Sequence, residues 1–159
     1  MPNYGKQNQQ RGYDQRNRSP LPTLDTSNIK LDNIGEELFN TIAKETAITI
    51  AKNPSRMVNK PTQLRRFYDE IVMWENKASF LLANEEDEQK SVDKFGEMLP
   101  FIKMINAKTA YAQGRKLVDK NYVTLINHCL NQVTDIKTMK HFKLFMEAFM
   151  GFYKVERPN

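Results

Sequence analysis

Residues 107–116, AKTAYAQGRK, carry four side chains whose spacing bears on chemistry: Lys108, Tyr111, Arg115 and Lys116. On a helix, positions three and four apart share a face. If a helix continues through Gly114, then Lys108, Tyr111 and Arg115 form one stripe, with Lys103 and Lys116 in neighbouring sectors. A cation, an aromatic ring and an arginine in line suit a phosphate chain with a base stacked beside it. The same residues also make an ordinary solvated face, and the stretch alone does not choose between the two.

A second basic group lies upstream. NKPTQLRRFYDEI sets Lys60, Arg65 and Arg66 around a predicted helix start, with Pro61 in the first turn and Thr62 a candidate cap. A helix N-terminus already carries about half a positive charge, so each cation there costs about 0.3–1 kcal/mol. Free backbone N–H groups, the helix dipole and two arginines together make an anion site, and the arginine fork matches phosphate in bidentate geometry. The competing reading is that Asp69 and Glu70 neutralise the two arginines at spacings of four.

Catalysis finds little support. The histidines are His128 and His141, and the single cysteine is Cys129. That is too few nitrogen and sulfur ligands for a zinc site. The glycines are scattered and form no phosphate loop. Asp69–Glu70 and Glu85–Glu86 are sequence neighbours, so on a helix they point apart and do not build a two-carboxylate site. The expectation is a non-catalytic chain with no metal and no cofactor.

The elements that must position these residues read as helices. The 159 residues carry a net charge of +5, which suits an anionic partner, and the length suggests one domain. One cysteine excludes an internal disulfide framework and fits a reducing compartment. No apolar run approaches the roughly 18 residues of a membrane span, and the N-terminus lacks an apolar signal core, so a cytoplasmic protein without a membrane partner is expected.

Residues 1–28 are rich in Asn, Gln and Arg. Around Lys6, Arg11, Arg16 and Arg18 there is one acid, Asp14, and a disordered basic tail is expected, either solubilising or electrostatic. Residues 29–159 are expected to form one all-α domain, a bundle of about five helices.

The first predicted helix carries Ile34, Leu38 and Ile42 behind a cap at Asp32 and stops near Asn53–Pro54. The second spans 62–82, with Leu64, Phe67, Tyr68, Ile71, Trp74, Ala78 and Leu81 in one stripe. An acidic connector, 84–89, precedes a third helix starting near Asp93, or at Pro100 if the proline sits in the first turn. A fourth covers 119–133. The last follows Asp135 and buries Met139, Phe142, Phe145, Met146, Phe149 and one of Phe152 or Tyr153.

Three segments, in order, resemble a known family: PTQLRRFYDEI, LPFIKMINAKTAYAQGRK and FKLFMEAFMGFYK. They are similar to the small, Csm-type helical subunit of type III-A CRISPR effector complexes, over about residues 30–155. The family pattern has a Gln-x-Arg helix start, a Lys-x-x-Tyr-Ala-x-Gly-Arg element and an aromatic last helix ending in lysine. That last helix usually ends in Ala-Tyr-His-Lys. Here it reads Gly151-Phe152-Tyr153-Lys154, which keeps the charge and lacks the histidine.

The resemblance implies a non-catalytic subunit of an antiviral defence complex. Copies stack on one another into a filament, beside other subunits that cut RNA and DNA and make cyclic oligoadenylate. It also implies partners: guide RNA, target RNA, the other effector subunits and further copies of the chain. Carried over by position, Arg65, Arg66, Lys108, Arg115, Lys116 and Lys154 would face RNA, with Lys60 and Lys103 beside them. Such contacts would go to phosphates, because pairing carries the specificity in a guide-directed machine. The alternatives are a free-standing helical DNA-binding regulator, whose one candidate reading helix, QLRRFYDEI, carries acids toward the groove, and a purely structural adaptor.

Overall fold

The computed structural model describes residues 20–158, so most of the expected tail lies outside the described residues. Among these the chain is all-α, without a strand. A π-helical turn, Leu38–Ile42, runs directly into α1, Ala43–Ala51. Then follow α2, Pro61–Asn84; α3, Glu88–Lys103; α4, Ile105–Gly114; α5, Lys120–Gln132; and α6, Ile136–Glu156.

The caps explain most boundaries. Asp119 accepts from the Tyr122 N–H at 3.0 Å and opens α5. Asp135 and Thr138 form a capping box that opens α6, with Thr138 N–H donating to Asp135 at 2.7 Å. Burial opposes ionisation of Asp135. The Thr138 backbone and hydroxyl donors outweigh that and hold its carboxyl below the usual range.

Several boundaries differ from expectation. Asp32 does not cap the first helix; Glu37 does, through the Thr41 N–H, because the chain ahead of it is committed to other contacts. Pro61 begins α2 as expected, but Thr62 lies inside the helix and Lys60 takes the cap position without a side-chain bond. The third helix starts at Glu88, where Asp87 accepts from the Lys90 N–H at 3.2 Å, and not at Asp93 or Pro100.

Pro100 is thus inside α3. Gly96, whose carbonyl a helical N–H at position 100 would have bonded, is exposed, so water can satisfy it. The expected third helix is divided at Met104, whose N–H reaches Phe101 in a tightened turn. The α3 and α4 segments are its two halves.

The core is centred on α6, against which α1 and α2 both pack. Met139, Phe142, Phe145, Met146, Phe149 and Tyr153 are fully buried, so Tyr153 and not Phe152 takes the inward position. From α2, Leu64, Phe67, Ile71 and Ala78 complete it, while Trp74 is half-buried at the edge, stacked on exposed Phe101.

Packing also reaches ahead of residue 29. Leu24, Ile29 and Leu31 are buried in a segment laid across α5 and α6. Asn121 bonds both sides of it, accepting from the Leu24 N–H at 3.1 Å and donating to the Pro22 carbonyl at 2.7 Å. His128 donates to the Ile29 carbonyl at 2.7 Å and His141 to that of Leu31 at 2.6 Å. Both histidines are therefore engaged in holding this strap.

At one end of the bundle three segments are tied together by a single residue. Asn59 is fully buried and left-handed, with φ 55°. Its N–H donates to Leu117 at 2.9 Å, its side-chain oxygen accepts from the Asp119 N–H at 3.0 Å, and its carbonyl accepts from the Tyr153 hydroxyl at 2.6 Å. Buried Arg157 adds a clamp on the same loop, donating to the carbonyls of Val58 at 2.6 Å, Ser55 at 3.2 Å and Asn53. The start of α2, the α4–α5 turn and the end of α6 are held side by side by backbone and side-chain hydrogen bonds in a buried, low-dielectric place.

Candidate nucleic-acid interface

That end of the bundle is where the basic residues meet. Lys60 directly follows Asn59 and caps α2, Lys116 precedes Leu117, and Lys154 follows Tyr153. The Asn59 bonds thus tie together three segments from distant parts of the sequence, each with a cation next to the bonded residue. Lys60, Lys116 and Lys154 are all exposed, and Lys154 donates to the Pro158 carbonyl.

Lys116 has a particular conformation. Its N–H donates to Gln113 at 2.9 Å, and the Leu117 N–H donates to Ala112 at 2.9 Å. This is the paired bonding of a Schellman helix end, whose left-handed position favours glycine. Here Lys116 occupies it, with φ 60°. A non-glycine residue in that region costs on the order of 1 kcal/mol.

Below the rim, α2 and α4 enclose a groove of about 430 Å³. Arg66, Lys108 and Arg115 line it, with Gln63, Glu70 and Tyr111. Its floor is apolar, from Phe67, Ala107, Ala112 and Leu117. Helix α4 does run through Gly114, so the stripe of Lys108, Tyr111 and Arg115 forms as the spacing predicts. Tyr111 is 68% exposed, and the Arg115 guanidinium lies 5.8 Å from its ring centre. Two walls, an aromatic face and cations on both sides make a shape that can seat an anionic strand.

Ion pairing divides the cations. Arg65 points away from the groove and donates to Asp69 at 2.8 Å, a bond that pushes its pKa up, with the guanidinium also 5.7 Å from the Tyr68 ring. The expected neutralisation at a spacing of four therefore occurs there. It does not occur at Arg66, because Glu70 reaches across the groove to Lys108 instead, at 2.5 Å. Among the described residues, Lys60, Arg66, Lys103, Arg115 and Lys116 have no ion-pair partner.

Lys103 is half-buried at the end of α3, the far end of α4 from Arg115. It is not part of the groove lining. On the α2 side, Gln63, Phe67 and Glu70 are groove residues not assigned to the site from the sequence. With Arg66 they occupy the i, i+3, i+4 and i+7 positions from Gln63, and that periodicity marks a helix face without saying what lies opposite.

No group of three or more potential metal ligands occurs among the described residues. Cys129 is fully buried, and burial pushes its thiol pKa up, so it is poorly disposed to act as a thiolate. No described helix is long and apolar enough to cross a membrane.

The family model described as Csm2 Type III-A matches residues 35–159. That stretch contains both basic segments, the Asn59 junction and the whole of α6. No curated protein and no solved structure matches the chain.

Proposed function

The chain belongs to the Csm2 Type III-A family, the small-subunit family of type III-A CRISPR complexes, and from that premise we propose that it is a non-catalytic subunit whose basic rim and α2–α4 groove hold the phosphate backbone of RNA. The RNA is the guide strand and the target paired with it. Copies stack along the complex, so that many weak sites act on one strand. Arg66, Lys108, Arg115 and Lys116 are the principal contacts, with Lys60, Arg65 and Lys154 on the rim. Tyr111 offers a face on which a base or sugar can rest. Lys103, away from the groove, is assigned a peripheral contact.

The observation that carries this reading is the meeting of Arg66 from α2 with Lys108 and Arg115 from α4 in one groove, beside a junction whose flanking residues are cations placed at a stability cost. Lys60, Arg65 and Arg66 surround a helix N-terminus, where their sign is unfavourable. Lys116 takes a left-handed position that glycine would occupy without strain. A bound phosphate would offset both costs. Sequence-independent phosphate contact also agrees with a groove whose floor is apolar and which holds few base-reading groups.

One observation favours a purely structural role. Arg65 and Lys108 are already neutralised within the chain. Changing Arg66 and Arg115 to alanine in a reconstituted effector complex tests between the two. A phosphate-binding groove weakens for unrelated target RNAs by similar factors. Each lost contact lowers the slope of log affinity against log salt by about 0.7–0.9. If the variant complex assembles and holds RNA with unchanged affinity and slope, the structural role is correct.

A further inference from the structure

The groove contains one carboxylate among its cations. Glu70 has Arg66 four residues behind it on α2, the usual distance for a helical ion pair. Its carboxylate instead crosses to α4 and takes Lys108 at 2.5 Å. The Glu70 side chain is recessed, at 19% exposure, while Lys108 is 50% exposed. The pair lies in the same lining as Arg66 and Arg115, neither of which has an ion-pair partner among the described residues. The groove therefore has two available cations and a third already satisfied from within.

We propose that Glu70 is a built-in competitor for phosphate: it occupies Lys108 while the groove is empty and lowers the affinity of each copy for a polyanion. The proposal rests on the reading of the groove as a phosphate site. An incoming phosphate must either draw Lys108 away from Glu70 or lie beside a negative charge. A partly exposed pair of this kind is weak, so the exchange is reversible. Glu70 itself is recessed between the two helices and remains in the groove after the exchange. In an assembly with many such sites, weakening each one lets a strand leave that would otherwise be held by the product of all contacts.

The test measures binding of a labelled single-stranded RNA of mixed sequence to the full chain at low ionic strength. Glu70→Gln keeps the shape and hydrogen-bonding capacity of the side chain and removes its charge. It is expected to tighten binding by roughly two- to fivefold, the range a partly exposed ion pair supplies. Lys108→Met keeps the aliphatic stem, and in that background the gain from Glu70→Gln should vanish. Unchanged or weaker binding by Glu70→Gln overturns the proposal. So does a gain that persists undiminished without Lys108, since general charge removal then explains it.

Arg66→Ala and Arg115→Ala, measured alongside, separate this inference from the reading beneath it. If they weaken binding while Glu70→Gln brings no gain, only the competitor fails. If neither changes binding, or no variant binds RNA measurably, the phosphate groove fails and the competitor with it.

Discussion

Single residues at the rim trade stability for position. Lys116 is the clearest case, because its φ of 60° belongs to the region where glycine is strain-free. As a cation just past the end of α4 it also gains from the helix dipole, which offsets part of the cost. Lys116→Gly should therefore leave thermal stability unchanged or raise it by up to about 1 kcal/mol. The same change should weaken RNA binding across sequences. Melting curves and a salt series on one protein preparation check both halves. A loss of stability together with unchanged binding would mean that the lysine is there for the fold.

Residues of the opposite kind surround Asn59. Its three backbone and side-chain bonds and the Arg157 clamp hold the rim in register. None of these would touch RNA in the proposed reading. Arg157 resembles a C-terminal surface cation by composition alone, and its burial against the carbonyls of Val58 and Ser55 is visible only once the fold brings residues 55–58 beside the end of α6.

Among the elements, α6 carries the core, and its start carries a pH dependence. The Asp135 carboxyl is held below its usual range in the folded chain. The unfolded carboxyl titrates near 3.9. A depressed folded pKa contributes stability that is fully present above the unfolded value. It is lost as pH falls through that value toward the folded one. Urea unfolding at neutral pH and at pH values below about 4 should show Asp135→Ala costing about 0.5–2 kcal/mol in the first case and less in the second. A cost that stays constant down the acid limb would show that the carboxylate's charge is not what caps α6.

The other elements show how local rules and packing share the work. The stripe of α2 was legible from Leu64 to Ala78 because a buried helix face repeats every three to four residues. The starts of α5 near Asp119 and of α6 after Asp135 were legible from the apolar periodicity, and the structure adds that both acids cap their helices. Asp32 and Thr62 are also favoured cap residue types and do not cap. The backbone around Asp32 is drawn into the strap, and Pro61 has already started α2 before Thr62. A cap is a local signal that a neighbouring contact can overrule.

For the whole molecule, the strap sets how far the cooperative unit extends. Leu31 is fully buried, its N–H donates to Gln132 at 2.8 Å, and its carbonyl accepts from His141. Leu31→Ala should cost about 2–5 kcal/mol through the transfer and cavity terms of a core leucine. Denaturant melts followed by circular dichroism and by Trp74 fluorescence should shift together. A near-neutral result would show that the strap rests on the bundle without belonging to its core. Because α5 and α6 bond both the strap and the Asn59 junction, the basic segments are attached to the helices that the strap holds.

The sequence by itself determined the all-α class, the main apolar faces, the approximate starts of α2, α5 and α6 and the two basic segments. Each of these depends on residues within a turn or two of one another, where periodicity and capping chemistry are sufficient. It also carried the family, through motifs that keep their order along the chain. Only the tertiary structure decided which cations are already paired. Arg65 finds Asp69 on its own helix, as spacing allows, but Glu70 passes over Arg66 for Lys108, 38 residues away. It also separated Lys103 from the groove and set Lys60, Lys116 and Lys154 around Asn59 and Tyr153. A charge on a helix has neighbours at fixed spacings along the chain, whereas its partner across a groove depends on how two helices are docked, and that docking comes from the core beneath them.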